Sequence, residues 1–200
     1  KQAAQIDVLS NGRLRLGVGV GWNSVEMSSV GYDFTNRGKR IEEQVEVLRL
    51  LWQNELVVYD GQYHTLDDVG INPLPVQRPI PVWFGGYADA VLRRMARMGD
   101  GWMPTNVALE DIQPLTDKIG GYLADNGRSF DDFGIDIRLA ASKQAPDEWL
   151  PYIDAWRDHG ATHARMLTMH NGFTTPDEHL KVLQQFINTV KPYGDMKTDS

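Results

Sequence analysis

The stretch that decides the fold is PVWFGGYADAVLRRMARMGDGWMP, Pro81–Pro104. Val82, Trp83 and Phe84 form a short apolar run closed by Gly85 and Gly86, which reads as a strand ending in a turn. A helix is expected from about Ala88, with Val91, Leu92, Met95 and Met98 inward and Gly99 as its stop. DGWMP then begins a second, very short strand. A strand, a helix and another strand in that order mean parallel strands joined by a helical crossover.

The same alternation extends in both directions. Upstream, KQAAQIDVLSNG reads as a helix with Ala4, Val8 and Leu9 on one side and Gly12 as its stop. RLRLGVGV follows as a strand with a glycine-rich end, and no helical stripe starts directly after it. Ile41, Val45, Leu48, Leu51 and Trp52 recur at helical spacing. Residues 55–79 form an irregular insert, in which Asp60-Gly61 between strand-like runs signals a hairpin. Downstream come a helix around LTDKIGGYLADNG, a strand in GIDIRLAAS, a helix in PDEWLPYIDAWRDHG and a strand in ATHARMLTM. The last helix opens on Thr175, Pro176 and Glu178, a capping-box pattern, and carries the stripe Leu180, Leu183, Phe186, Ile187 and Val190.

Five strands satisfy an open sheet, whereas a β/α barrel needs eight. Lys1 is not preceded by a cap, and glycine and polar residues sit at the carboxyl ends of several strands, where barrel active sites lie. The expectation is therefore an incomplete β/α (TIM) barrel. Residues 1–200 would be the carboxyl-terminal portion of one barrel domain, with about three βα units upstream of Lys1.

Composition narrows the function. A net charge of -7 argues against a general nucleic-acid or anionic-membrane binder, although not against one anionic ligand held locally. The absence of cysteine excludes disulfides and thiolate metal sites. No apolar run approaches the roughly 20 residues of a membrane span, and no secretory signal opens the chain. A cytoplasmic location is the expectation.

Two glycine segments are candidate ligand sites. LGVGVGWN, Leu16–Asn23, fails the dinucleotide fingerprint, because the third glycine would fall on Trp22 or Ser24. Its glycines either let a neighbour pack close or let a flat ligand approach. FGGYADA joins a strand end to a helix start, whose unbonded N–H groups attract anions. It is either a phosphate cradle or a plain tight turn. The five histidines form no metal pattern: His159 and His163 are separated by Gly160, and there is no H-E-x-x-H. His170 alone follows a strand end and is a candidate substrate contact.

GRLRLGVGVGWN, GGYADAVLRRMARMGDGWMP and the RG…RIEE…LRLLW helix, in that order with YDGQYHTL and NPLPVQRPIPVWFGG between, resemble the bacterial luciferase-like superfamily. The likeness is greatest to its branch dependent on the deazaflavin coenzyme F420. It implies a β/α barrel with the cofactor ring at the carboxyl ends of the strands. It implies Gly19, Val20 and Gly21 beside the ring, Trp22 and Asn23 at the mouth, and Gly85, Gly86, Tyr87 and Ala88 around the cofactor phosphate. The acid/base residues of the family belong to early strands without a counterpart here, so no catalytic residue is assigned. The resemblance implies hydride transfer between F420 and a small organic substrate. The alternatives are an FMN-dependent monooxygenase and a non-catalytic cofactor-binding or scaffold protein. A homo-oligomer is left open.

Overall fold

The computed structural model describes residues 1–105 and 107–193 of the 200. The chain divides into two compact units, one of residues 1–84 with 98–100 and one of residues 85–97 with 101–200.

The first unit opens with α1 (Gln2–Leu9), which ends before Asn11 and Gly12, both at positive φ. Its inward residues are Ala4 and the carboxylate Asp7, while Val8 and Leu9 are exposed. Ala4 thus faces inward as expected, whereas Val8 and Leu9 do not, and a buried acid takes the rest of that side. Asp7 Oδ2 accepts the Gln77 backbone N–H at 2.9 Å, and Oδ1 accepts the Gln77 side-chain amide at 2.7 Å. The same Gln77 amide donates to Leu14 O at 2.8 Å.

Burial works against ionisation of Asp7, but the amide hydrogen bonds from Gln77 and Leu14 outweigh it and lower its pKa. The native state therefore favours the carboxylate. Its contribution to stability is complete above the ordinary carboxylate range and is lost as pH falls through the depressed native value. Replacing Asp7 with alanine leaves buried donors without an acceptor, and a loss of roughly 2–5 kcal/mol is expected. Denaturant unfolding at pH 7 checks this, and the difference from the parent should shrink in acid. An unchanged midpoint at pH 7 would contradict it.

Strand β1 (Leu16–Val18) is followed by a short helix, α2 (Ser24–Ser29), and then by α3 (Arg37–Gln53), which buries Ile41, Val45, Val47 and Trp52. The strand stops at Val18, so Gly19 and Gly21 lie beyond it in a loop rather than within a strand. Helix α2 departs from expectation. It buries nothing and so has no apolar stripe to betray it. The insert contains the hairpin signalled by Asp60-Gly61: β2 (Val57–Asp60) pairs antiparallel with β3 (Thr65–Val69). Its turn is held by Glu43 of α3, whose carboxylate accepts the Gln62 and Tyr63 backbone N–H groups, each at 2.8 Å, and faces His64 Nδ1 at 2.8 Å. Strand β4 (Val82–Gly85) pairs in parallel with β1, placing Gly17 opposite Trp83. Asp100 closes this unit: its carboxylate accepts the Val82 N–H at 2.7 Å and Arg49 Nη2 at 2.8 Å.

The second unit contains α4 (Asp89–Met98), β5 (Gly101–Met103), α5 (Ile112–Asp125), β6 (Gly134–Ala140), α6 (Trp149–Arg157), β7 (His163–Leu167) and α7 (Pro176–Val190). Strands β5, β6 and β7 pair in parallel in chain order. Its core holds Leu92 and Met95 of α4, Trp102 of β5, Ile119 and Leu123 of α5, and Trp149 and Trp156 of α6. Trp102 and Trp156 meet edge to face at 6.0 Å. Helix α7 is capped as read, with Glu178 accepting the Thr174 and Thr175 N–H groups. Its stripe is only partly used: Phe186 is buried against Trp149, whereas Leu180 and Ile187 are exposed.

Among the described residues, five parallel strands alternate with helices, as the sequence pattern requires. This is the α/β architecture of an incomplete β/α barrel.

Candidate functional site

Gly19, Val20 and Gly21 form the exit from β1. Gly19 is exposed, its φ lies outside the left-handed region, and a Cβ built on it meets no atom within 4 Å. Neither backbone conformation nor packing within the described chain therefore calls for glycine there. Gly21 differs, because its φ is +78°. A cleft of about 540 Å³ runs beside this segment, lined by Gly17, Val18 and Gly19 together with Ile41, Val45 and Leu48 of α3.

Trp22 is 87% exposed. Asn23 caps α2: its Oδ1 accepts the N–H groups of Val25 at 3.1 Å and Glu26 at 3.4 Å. That gives Asn23 a structural role which the sequence reading missed. The asparagine three residues before Glu26 was the available signal.

In the second unit, Gly85, Gly86, Tyr87 and Ala88 lead into α4. Gly86 has a φ of +107°, and Tyr87 and Ala88 are exposed. The first helical hydrogen bonds run from the Val91 and Leu92 N–H groups to Ala88 O. The amides before them belong to the group that a helix leaves unbonded at its start. Buried Trp102 fixes the turn by donating its Nε1–H to Gly86 O at 2.8 Å.

Replacing Trp102 with phenylalanine leaves that carbonyl without its donor and opens a small gap. At about 1–3 kcal/mol for the unpaired group, a fall of roughly 3–10 °C in the thermal midpoint is expected for a chain of this size. Calorimetry measures it, and an unchanged midpoint would show that the indole does not hold the turn.

At the start of α4, Asp89 is bracketed by Lys118 at 2.7 Å, Arg93 at 2.8 Å and the Tyr122 hydroxyl. The hydrogen bonds from Lys118, Tyr122 and Arg93 hold its carboxyl well below the usual carboxylate range. Asp125 acts on Arg93 as well, so two carboxylates face the two cations. His170 lies on a separate turn after β7, exposed and at a φ of +63°.

The predicted site residues thus fall into two continuous segments, one in each unit, with His170 apart. Each segment has a property a ligand would use: open space at Gly19, and a glycine turn pinned by Trp102 with amides ahead of the helix at Gly86. Among the described residues no His/Cys/Asp/Glu group could hold a metal ion, and no helix is long and apolar enough to cross a membrane.

Parallel strands alternating with helices are the architecture of an incomplete β/α barrel. The family model for luciferase-like monooxygenases matches residues 1–189, and the chain belongs to that family. It is 40% identical over 103 residues to an uncharacterized protein of Mycobacterium tuberculosis, covering 52% of this chain and 35% of that one. It is 31% identical over 133 residues to the FMNH2-dependent dimethylsulfone monooxygenase of Pseudomonas putida, covering 64% and 37%. Among solved structures, the monooxygenase RslO1 from Streptomyces bottropensis aligns with a TM-score of 0.74 and 21% identity, over 95% of this chain and 71% of that one. An F420-dependent secondary alcohol dehydrogenase, in complex with an F420-acetone adduct, aligns at 0.61 and 17%, over 94% and 64%. The chain spans between 35% and 41% of the length of the first curated relatives compared.

Proposed function

We propose that the protein is an oxidoreductase that takes coenzyme F420 and acts on a small organic substrate. The observation that carries a flat cofactor ring is Gly19, a glycine required by neither its own backbone nor its neighbours, with free space where a side chain would project; the choice of F420 rests on the likeness to the F420-dependent branch. A flat ring lying against that backbone explains the glycine. The Gly85–Gly86 turn suits the cofactor phosphate, because its amides precede the helical ladder.

When bound, the cofactor supplies the redox chemistry. Gly19–Gly21 would hold a ring face, with Trp22 shaping the approach to it, and Gly86–Ala88 would hold a phosphate. His170 would touch the substrate. The net charge of -7 disfavours nucleic acid and anionic membranes as partners and is compatible with one anionic ligand held locally.

A second reading, an FMN-dependent monooxygenase, is favoured by the FMNH2-dependent relative at 31% identity. Titration of the full-length protein with F420 and with FMN separates the two. Tight, stoichiometric F420 binding is expected. Binding of FMN without F420 would establish the second reading, and binding of neither would favour a scaffold.

A further inference from the structure

We infer that Arg37 is a positioning residue that fixes the Gly19–Asn23 turn in the conformation that receives the ligand; this rests on the cofactor reading above. Strand β1 ends at Val18, so the next residues lack a ladder to hold them. Gly21 then turns the chain at a φ of +78°. Helix α2, which follows, buries no residue and so contributes little packing to hold the turn.

Arg37 supplies the missing restraint. It sits in the first turn of α3, half-buried, and donates Nε–H to Gly21 O at 3.2 Å and Nη1–H to Phe34 O at 2.8 Å. Its guanidinium lies over the Phe34 ring at 3.7 Å. A planar fork can bond two carbonyls and stack on a ring at once, which an ammonium group cannot do. One turn further along α3, Arg40 reinforces the segment from its other end. It lies between the rings of Tyr32 at 4.6 Å and Tyr63 at 4.7 Å.

The exit loop is thereby tied to α3 at Gly21 and at Tyr32. The backbone of Trp22 follows directly on the tied carbonyl. Arg37 itself need not touch the ligand.

The test is Arg37→Met in the full-length protein, with Arg37→Lys as the conservative variant. Amide hydrogen exchange is followed by segment, and F420 and FMN affinities are measured by titration. Loss of the clasp should raise exchange in residues 19–26 about tenfold or more, leave α3 and β4 unchanged, and weaken cofactor binding about tenfold. Arg37→Lys should fall between parent and Met. Unchanged exchange in residues 19–26 would overturn the inference. So would a rise spread evenly over α3 and β4, which marks a residue of general stability. So would parental affinity in Arg37→Met while Gly19→Val still blocks binding. If Gly19→Val binds as the parent does, the cofactor reading fails, and the exchange pattern alone decides the role of Arg37.

Discussion

Replacing Gly19 with valine is expected to leave the thermal midpoint within a degree or two of the parent and to weaken cofactor binding about 5- to 150-fold. The two halves of that result have separate causes. The added Cβ meets nothing within 4 Å and the backbone is not left-handed, so the fold has nothing to resist. Exposed substitutions of that kind stay within about 0.5 kcal/mol. A ring lying on the same backbone would meet the new methyl groups. Overpacking of about 1–3 kcal/mol converts to roughly 5- to 150-fold in affinity. Calorimetry and cofactor titration on the same preparation decide the matter. Parental affinity in a folded Gly19→Val protein would remove this segment from the site.

The larger effect is expected at Gly86. Its φ of +107° suits no residue with a Cβ, although the space around it is ordinary, with Val91 Cγ1 3.6 Å from the position a Cβ would take. Valine there costs about 1–3 kcal/mol in backbone strain. It would also turn the amides away from a phosphate held there. Two lost charge-assisted hydrogen bonds, each about 1.5–3 kcal/mol, predict binding weaker by about 100-fold or more. Gly127→Val separates strain from contact, because Gly127 also has a positive φ, +69°, with open space around it. That variant should lose stability and keep its affinity. Gly86→Ala, a gentler change, should remain folded and still bind poorly. A folded Gly86 variant with parental affinity would mean that the glycine only turns the chain.

The architecture was largely legible in the sequence because its elements bury one face. Leu92 and Met95 recur at helical spacing because α4 packs on them, and Ile135, Ile137 and Leu139 crowd β6 because that strand is buried. Where burial is missing, so is the signal. Helix α2 touches no core and is marked only by its cap, Asn23. Leu180 and Ile187 carry the periodicity of a buried stripe yet lie exposed, since the pattern records an affinity for apolar cover without saying what provides it. In α1 the inward residue is an acid, Asp7, and its partner Gln77 is far along the chain, beyond the reach of any local window. The glycine segments could be found, but their meaning could not. Sequence spacing does not distinguish Gly19, which has free space, from Gly21, which needs its left-handed turn. Arg37 and Trp102 escaped notice because each acts through a carbonyl oxygen, which every residue has.

The Asp7–Gln77 contact also bears on the order in which the first unit assembles. Asp7 reaches the Leu14 N–H across a separation of 7 residues and the Gln77 N–H across 70. Loop-closure entropy rises with the logarithm of length, so the second contact costs about 2 kcal/mol more than the first to form from an open chain. We expect the turn around Asp7 and Leu14 to form early, and the carboxylate to wait for Gln77 until β1, α3 and the hairpin have brought it near. Pulse-labelling during refolding should therefore find the Gln77 amide among the last in its unit to gain protection. Protection of Gln77 before the interior amides of α3 would contradict that order. The buried acid thus serves as a timing mark: it reports when residues far apart in sequence have become neighbours.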